Sequence, residues 1–284
     1  MMRLNPRLTE RMAFTFLFLS TLLIIVPVFL ILITIIQNGF SALSWQFLSA
    51  YPRLGMRAGG IFPAVLGTIY LILGTLIFSL PVGILAAIYL SEYARDSAFR
   101  RVIEVAIVNL AGVPSVVYGL FGFGLFVVFL KFGASILAGS LTLAIMSLPV
   151  IITASREALS SVPQSFRESS LALGATKWQT IRRAVLPNAH PGILTGTILA
   201  LGRAAGETAP TLFTVAAFYL PRLPRSIFDQ CMTLPYHLYV ISTQVPNIKP
   251  SYQYGTALVL ILLVLMMNLV AIVIRAQFRK RKLW

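Results

Sequence analysis

Arg156 to Pro210 reads REALSSVPQSFRESSLALGATKWQTIRRAVLPNAHPGILTGTILALGRAAGETAP. The stretch divides near Pro191. Before it lies a polar break between two apolar runs. After it, Gly192 to Phe218 is an apolar run carrying two charges, Arg203 and Glu207. A helix needs about 20 apolar residues to cross a bilayer core, so this run is expected to be a membrane span. The break reads as a docking surface and the charged pair as a solute path, the first driving the second.

Composition points the same way. Of 284 residues, 58% are hydrophobic and 11% charged, against about a quarter charged in a soluble domain. The expected class is an all-α membrane protein. Net charge is +15. No basic face stands outside the loops, so the excess fits inner loops and anionic lipid headgroups, and nucleic acid is excluded as a partner. Cys231 is the sole cysteine, so no intrachain disulfide can form.

Six spans are expected: Ala13–Ile36, Ile61–Leu90, Val105–Leu130, Ala134–Thr153, Gly192–Phe218 and Gly255–Ile274. The first has 24 residues without a charge, beyond the roughly 7–15 of a signal peptide core, and no cleavage site closes it. It is expected to remain. Residues 1–60 form an N-terminal segment with that span and an outer loop, 61–275 a core of five spans, and 276–284 a basic tail. With the N-terminus inside, sixteen Lys and Arg fall in inner segments and six in outer loops. That imbalance places 154–192 and both termini in the cytoplasm. The third span holds Gly112, Pro114, Ser115, Gly119, Gly122 and Gly124, which suit close helix packing or a bent helix lining a cavity.

The break is expected to hold structure. Ser165–Leu173 reads as a short helix ended by Gly174, which accepts a left-handed backbone. Thr176 caps a second helix from Lys177 to about Leu186, where Pro187 discourages continuation. Trp178, Ile181 and Val185 form its apolar stripe. Such a hairpin suits either insertion into a partner's groove or a place on the membrane surface.

Glu168-Ser169-Ser170, then Gly174, then Leu186-Pro187 resembles the cytoplasmic "EAA" loop of ABC-type import permeases. The resemblance implies a coupling helix that sits in a cleft of an ATPase subunit. Ser169 and Ser170 stand where alanines are usual, and Ala184 where isoleucine is usual. The second change leaves Ile181 or Val185 as apolar anchor.

Arg203 lies 11 residues into the fifth run, roughly 16 Å deep at about 1.5 Å per residue. Glu207 follows at i+4, on the same face. A charge at the bilayer centre costs about 2.5–3.5 kcal/mol. The pair is therefore either a salt bridge between helices or part of a solute path, and burying such a pair gains little stability. Gly202, Gly206, Thr208 and Pro210 surround it, and a disrupted helix at that depth suits a watery cavity. Arg can hold an oxyanion through paired hydrogen bonds. Ionised Glu only accepts hydrogen bonds, so it favours an anion that still carries a proton, such as phosphate over sulfate. Glu207 could equally close a gate by pairing with an arginine.

Gly202-Arg203-Ala204-Ala205-Gly206-Glu207-Thr208-Ala209-Pro210 resembles the fifth-span motif of phosphate ABC transporter permeases. Gly112-Val113-Pro114-Ser115-Val116-Val117-Tyr118-Gly119 and Leu171-Ala172-Leu173-Gly174-Ala175-Thr176-Lys177-Trp178 resemble that family too. The Leu234-Pro235-Tyr236-His237 loop leans toward the A-type permease. The resemblance implies the MetI-like type I importer fold and a heterodimer with a second permease. It also implies two ATP-binding subunits on 156–190 and a soluble phosphate-binding protein. Arg203, Glu207, Thr208 and Ser115 would line the path for inorganic phosphate. Glu168, Ser169, Ser170, Gly174, Leu186 and Pro187 would couple to the ATPase.

No G-x-x-x-x-G-K-[ST] loop is present, so ATP is expected to bind on partner chains. No cofactor or metal is expected. His190 and His237 read as loop hydrogen-bonders on opposite sides. Two rival readings remain: an importer of another oxyanion, and a polytopic membrane enzyme using Arg203 and Glu207 as anion holder and base.

Overall fold

The computed structural model describes residues 6–280, so the basic ends expected to anchor the topology lie partly outside the described residues, at 1–5 and 281–284. The described chain is helical nearly throughout. Helix α1 (Pro6–Gly39) is apolar on all sides and almost wholly uncovered by the rest of the chain. Lipid is the solvent such a surface requires. At its end Gly39 lies against Tyr254; an added Cβ would sit 2.6 Å from that carbonyl oxygen. A short α2 (Trp45–Ser49), capped by Ser44, leads into a two-residue hairpin.

Helix α3 (Phe62–Ile88) closes in a π turn, Tyr89–Tyr93. Its buried Thr68, Thr75 and Ser79 each donate to the carbonyl four residues back. Their polar atoms are thus satisfied inside the helix, as lipid demands. Helix α6 (Ile136–Ser160) packs along α3. Small residues allow the approach: an added Cβ at Gly74 would meet Ser140 Oγ, and one at Gly83 would meet Ile151.

The third span is not one helix. Helix α4 (Ala98–Ala111) and α5 (Ser115–Gly122) meet at 105°, and a π segment, Phe123–Phe129, extends α5. Pro114 lacks the N–H that would continue the ladder and forces Val113 out of helical geometry. No residue of α4 is buried. Val105–Leu130, expected as a single crossing, is therefore a bent pair.

Helices α7 (Gln164–Ala172) and α8 (Lys177–Thr180) form the hairpin of the polar break. Contrary to expectation, the second helix does not stop at Pro187. A π turn, Ile181–Val185, joins it to α9 (Leu186–Gly206). Pro187 falls in the first turn after that wider turn, where a missing N–H is tolerated. The fifth apolar helix is thus Lys177–Gly206 rather than Gly192–Phe218. After it come α10 (Ala209–Thr214), α11 (Leu234–Thr243) and α12 (Pro250–Lys280). Helix α11 lies within the expected outer loop Tyr219–Tyr254, yet Leu234, Pro235, Tyr236, His237, Val240 and Ile241 are buried. Among the described residues five helices are long and apolar enough to cross a membrane, or six if the bent pair counts as one span.

Three apolar cores follow one another along the bundle. One gathers Phe47, Ile61, Met232 and Ile241. The middle one joins Leu71, Tyr118, Leu143 and Val215. The third, under the hairpin, joins Ile88, Leu159, Ile181, Val185 and Ile193. Ile181 and Val185 therefore face inward and cannot anchor an external partner.

Candidate functional site

Helix α9 ends at Gly206. Glu207 is extended (φ −75°, ψ 125°) and Thr208 opens α10. The cause is local: Pro210 has no N–H to give to the carbonyl of Gly206. The carbonyls at the break find a side chain instead, since Thr211 Oγ1 lies 2.9 Å from Thr208 O and 3.2 Å from Glu207 O.

Arg203 and Glu207 face each other across this break, Nε to Oε1 at 3.4 Å. The arginine side chain is 47% exposed and the glutamate 16%. Among the described residues only Nε of the guanidinium has a partner. The pair is thus not sealed in dry protein. Its long contact leaves donors free to engage an anion, while Glu207 is largely covered.

Helix α5 forms a neighbouring wall. Gly119 lies against Phe213, Ala209 and Pro210, where an added Cβ would be 2.8 to 3.1 Å from their atoms. One residue earlier, Tyr118 donates to Leu110 O at 2.8 Å, bracing the α4–α5 bend. Its phenol lies near enough to Arg203 to feel that charge. Ser115 is half-buried one turn before Tyr118 and makes no hydrogen bond with the pair. Thr208 stands beside Glu207 at the break, its carbonyl bonded to Thr211.

Asn268 of α12 escaped sequence reasoning. An added Cβ on Gly202 would sit 3.3 Å from Asn268 Oδ1, so the amide lies beside Arg203's helix. A lone Asn in the apolar run Gly255–Ile274 was the available signal. Near the other end of α12, Arg275 Nη1 donates to Thr195 Oγ1 at 3.0 Å. Arg203 is eight residues beyond Thr195, roughly 12 Å deeper along α9. If Arg275 marks the membrane edge, as basic residues at span ends do, Arg203 still lies well inside the core.

The hairpin is defined by its caps. Gly174 has φ +80°, and Gly174 N and Ala175 N bond Leu171 O and Ser170 O at 2.9 and 3.2 Å. These two bonds close a Schellman end for α7. Thr176 and Gln179 form a reciprocal capping box for α8. Glu168 and Ser169 are exposed, whereas the Ser170 hydroxyl bonds Thr180 Oγ1 at 2.9 Å inside the hairpin. Leu186 packs partly on the core beneath, and Pro187 is exposed. The outward apolar residues are Leu171, Leu173 and Trp178. Leu173, 89% exposed, is the strongest candidate anchor for a partner.

Two expectations about histidine need correction. His190 lies inside α9, not in a loop, with Nδ1 2.6 Å from Leu186 O. His237 is buried at 2% exposure and neither ring nitrogen has a hydrogen-bond partner among the described residues. Burial drew it inward with α11, which the proline and aromatics of its segment disguised as a loop. Among the described residues no cluster of His, Cys, Asp or Glu could hold a metal.

Residues 79–283 match the family described as binding-protein-dependent transport system inner membrane component. The chain is 33% identical over 282 residues to the probable ABC transporter permease protein YqgI of Bacillus subtilis (strain 168), covering 94% of this chain and 95% of that one. It is 37% identical over 273 residues to the phosphate transport system permease protein PstA of Mycobacterium leprae (strain TN), covering 93% and 87%. A chain from the crystal structure of a bacterial alginate ABC transporter, in complex with alginate pentasaccharide-bound periplasmic protein, matches with a TM-score of 0.66 at 16% identity, over 93% of this chain and 96% of that one. At that identity the likeness concerns the fold.

Proposed function

The chain belongs to the family of binding-protein-dependent transport system inner membrane components, and from that premise we propose that it is a permease subunit of an ATP-driven importer of inorganic phosphate. The observation that carries the reading is the break at Gly206–Ala209. There a half-exposed guanidinium is held by a mostly covered carboxylate, deep along a span. A tetrahedral oxyanion suits the free donors of Arg203. A protonated one suits Glu207, which as a carboxylate accepts hydrogen bonds only. Thr208 and Ser115 complete the polar wall of the path in this reading. The relatives named as phosphate permeases support the choice of solute.

The protein works with partners. A second permease chain closes the path. Two ATPase subunits dock on the hairpin through Glu168, Ser169, Leu171 and Leu173, with Ser170, Gly174, Leu186 and Pro187 shaping it. They, not this chain, hydrolyse ATP. A soluble binding protein delivers phosphate at the opposite face. Residues 61–275 act as the permease core, 1–60 as an added span with its loop, and 276–284 as a basic tail. The positive-inside balance supports a cytoplasmic place for hairpin and termini.

The test is uptake of labelled phosphate by the assembled transporter in proteoliposomes. Arg203→Ala is expected to lower uptake by about 100-fold, the loss of a charge-assisted bidentate contact worth about 3 kcal/mol. Glu207→Gln is expected to let sulfate compete. Full uptake by Arg203→Ala, or unchanged discrimination in Glu207→Gln, contradicts the site. A wild-type complex that carries sulfate or another oxyanion in preference moves the solute assignment and leaves the permease reading standing.

A further inference from the structure

Helix α7, the outer arm of the hairpin, has no fully buried residue. It must nevertheless grip the spans if displacement of the hairpin is to reach them. Phe166 rests partly on the core beneath. The other grip is Arg167. Its Nη2 lies 2.7 Å from Glu92 Oε1, and its Nε lies 3.2 and 3.4 Å from the two carboxylate oxygens. The remaining donors go to carbonyls beyond α7: Nη1 to Val162 O at 2.8 Å and Nη2 to Leu159 O at 2.9 Å. The two side chains are only 14% and 9% exposed. A single guanidinium thus joins three elements: α7, the π turn that ends α3, and the end of α6.

That π turn holds the hairpin twice. Its Glu92 holds Arg167 of α7, and its Tyr93 receives Lys177 of α8 over the ring at 4.9 Å. π turns interrupt helices frequently where function requires it. From this grip α3 runs through the bundle. Thr68, Leu71 and Ile72, some 20 residues earlier, line a small cavity that Glu207 also lines. Helix α3, with Pro81 in its course, therefore connects the hairpin's polar clamp to the wall beside the charged pair, roughly 30 Å away.

We infer that Arg167 is a positioning residue of the transport cycle, and that its clamp on Glu92 and on the carbonyls of Leu159 and Val162 at and just beyond the end of α6 carries displacement of the hairpin into α3 and so to the wall beside Glu207. The inference rests on the reading of the hairpin as the ATPase dock. A lysine at 167 keeps the charge but lacks the planar fork that reaches two oxygens and two carbonyls at once. Through the same contacts the clamp carries the effect of the loaded binding protein back to the hairpin and the ATPase docked on it.

The test uses the complete transporter in proteoliposomes with its cognate binding protein. Two readouts are taken: stimulation of ATP hydrolysis by the loaded binding protein, and uptake of inorganic phosphate per ATP. Glu92→Gln, which keeps the size of the side chain, and Arg167→Met are each expected to retain bound ATPase subunits. Each is expected to abolish most of the stimulation and to raise the ATP used per phosphate. Arg167→Lys is expected to fall between. The double variant is expected to be no worse than either single one, since the two residues share one interaction. If Arg167→Met does not assemble, Glu92→Gln and Arg167→Lys decide the matter. Unchanged stimulation, additive effects, or loss of the ATPase subunits from Glu92→Gln would overturn the inference. A wild-type complex that is stimulated but carries no phosphate overturns the solute assignment alone, and the stimulation readout still tests the clamp.

Discussion

Gly174 separates two demands that a small residue can serve. Nothing lies within 4 Å of the position a Cβ would take, so bulk is not excluded there. The φ of +80° is the constraint. A β-branched side chain in that region costs about 1–2 kcal/mol, whereas asparagine visits it readily. Gly174→Val is therefore expected to loosen the α7–α8 turn and lower phosphate uptake several-fold, with Gly174→Asn close to wild type. Equal losses in both, measured as uptake against bound ATPase, would point to bulk at the docking face. Arg203 and Glu207 show the complementary case. Their i+4 spacing announced a shared face, and the ion pair forms although the helix has already ended between them. Arg167 and Glu92, 75 residues apart, gave no such local sign.

Among the elements, the contact between α9 and α6 depends on missing side chains. A Cβ on Gly192 would stand 2.5 Å from Ala158 Cβ, and one on Gly196 would clash with Ala154. Gly196→Leu is expected to force the two helices apart at a cost of about 1–3 kcal/mol. Thermal unfolding of the purified transporter should then move down by several degrees. Gly206 has open space around it, so Gly206→Ala should leave the melting temperature unchanged. A drop in Gly206→Ala matching that in Gly196→Leu would refute this packing. The spans themselves were readable because apolar length is a property of the local chain. The 105° bend at Gly112–Pro114 was not, although both breakers were visible. A proline inside an apolar run can kink a helix slightly or divide it, and neighbouring helices decide which. Pro187 shows the opposite outcome, with helix continuing past it because a π turn takes up the strain.

For the whole molecule, orientation can be read with the single native thiol out of the way. Cys231 is fully buried, and burial pushes its thiol up to about 12. It should stay unreactive toward a membrane-impermeant maleimide in the folded protein. Leu173→Cys, on the hairpin, is expected to label only from the cytoplasmic face, and Arg222→Cys only from the opposite one. Labelling of both from one face would overturn the six-span topology. The same burial explains why the segment expected as an outer loop misled sequence reading. Met232, Leu234 and Ile241 form core at the end of the bundle and Cys231 joins the middle core, yet their surroundings are rich in proline and polar residues.

Local chemistry was sufficient for the lipid-solvated class, the apolar spans other than the third and fifth, the capped hairpin with its left-handed glycine, and the charged pair. Each depends on residues within a few positions of one another, where helical geometry alone sets the neighbours. Only packing across the bundle decided which break would bend a span and which would be carried through. Packing likewise turned Ile181 and Val185 inward, drew α11 and His237 into the interior, and brought Arg167 to Glu92. Those outcomes depend on which distant surfaces exclude solvent together, and that is a property of the assembled bundle and not of any one stretch of chain.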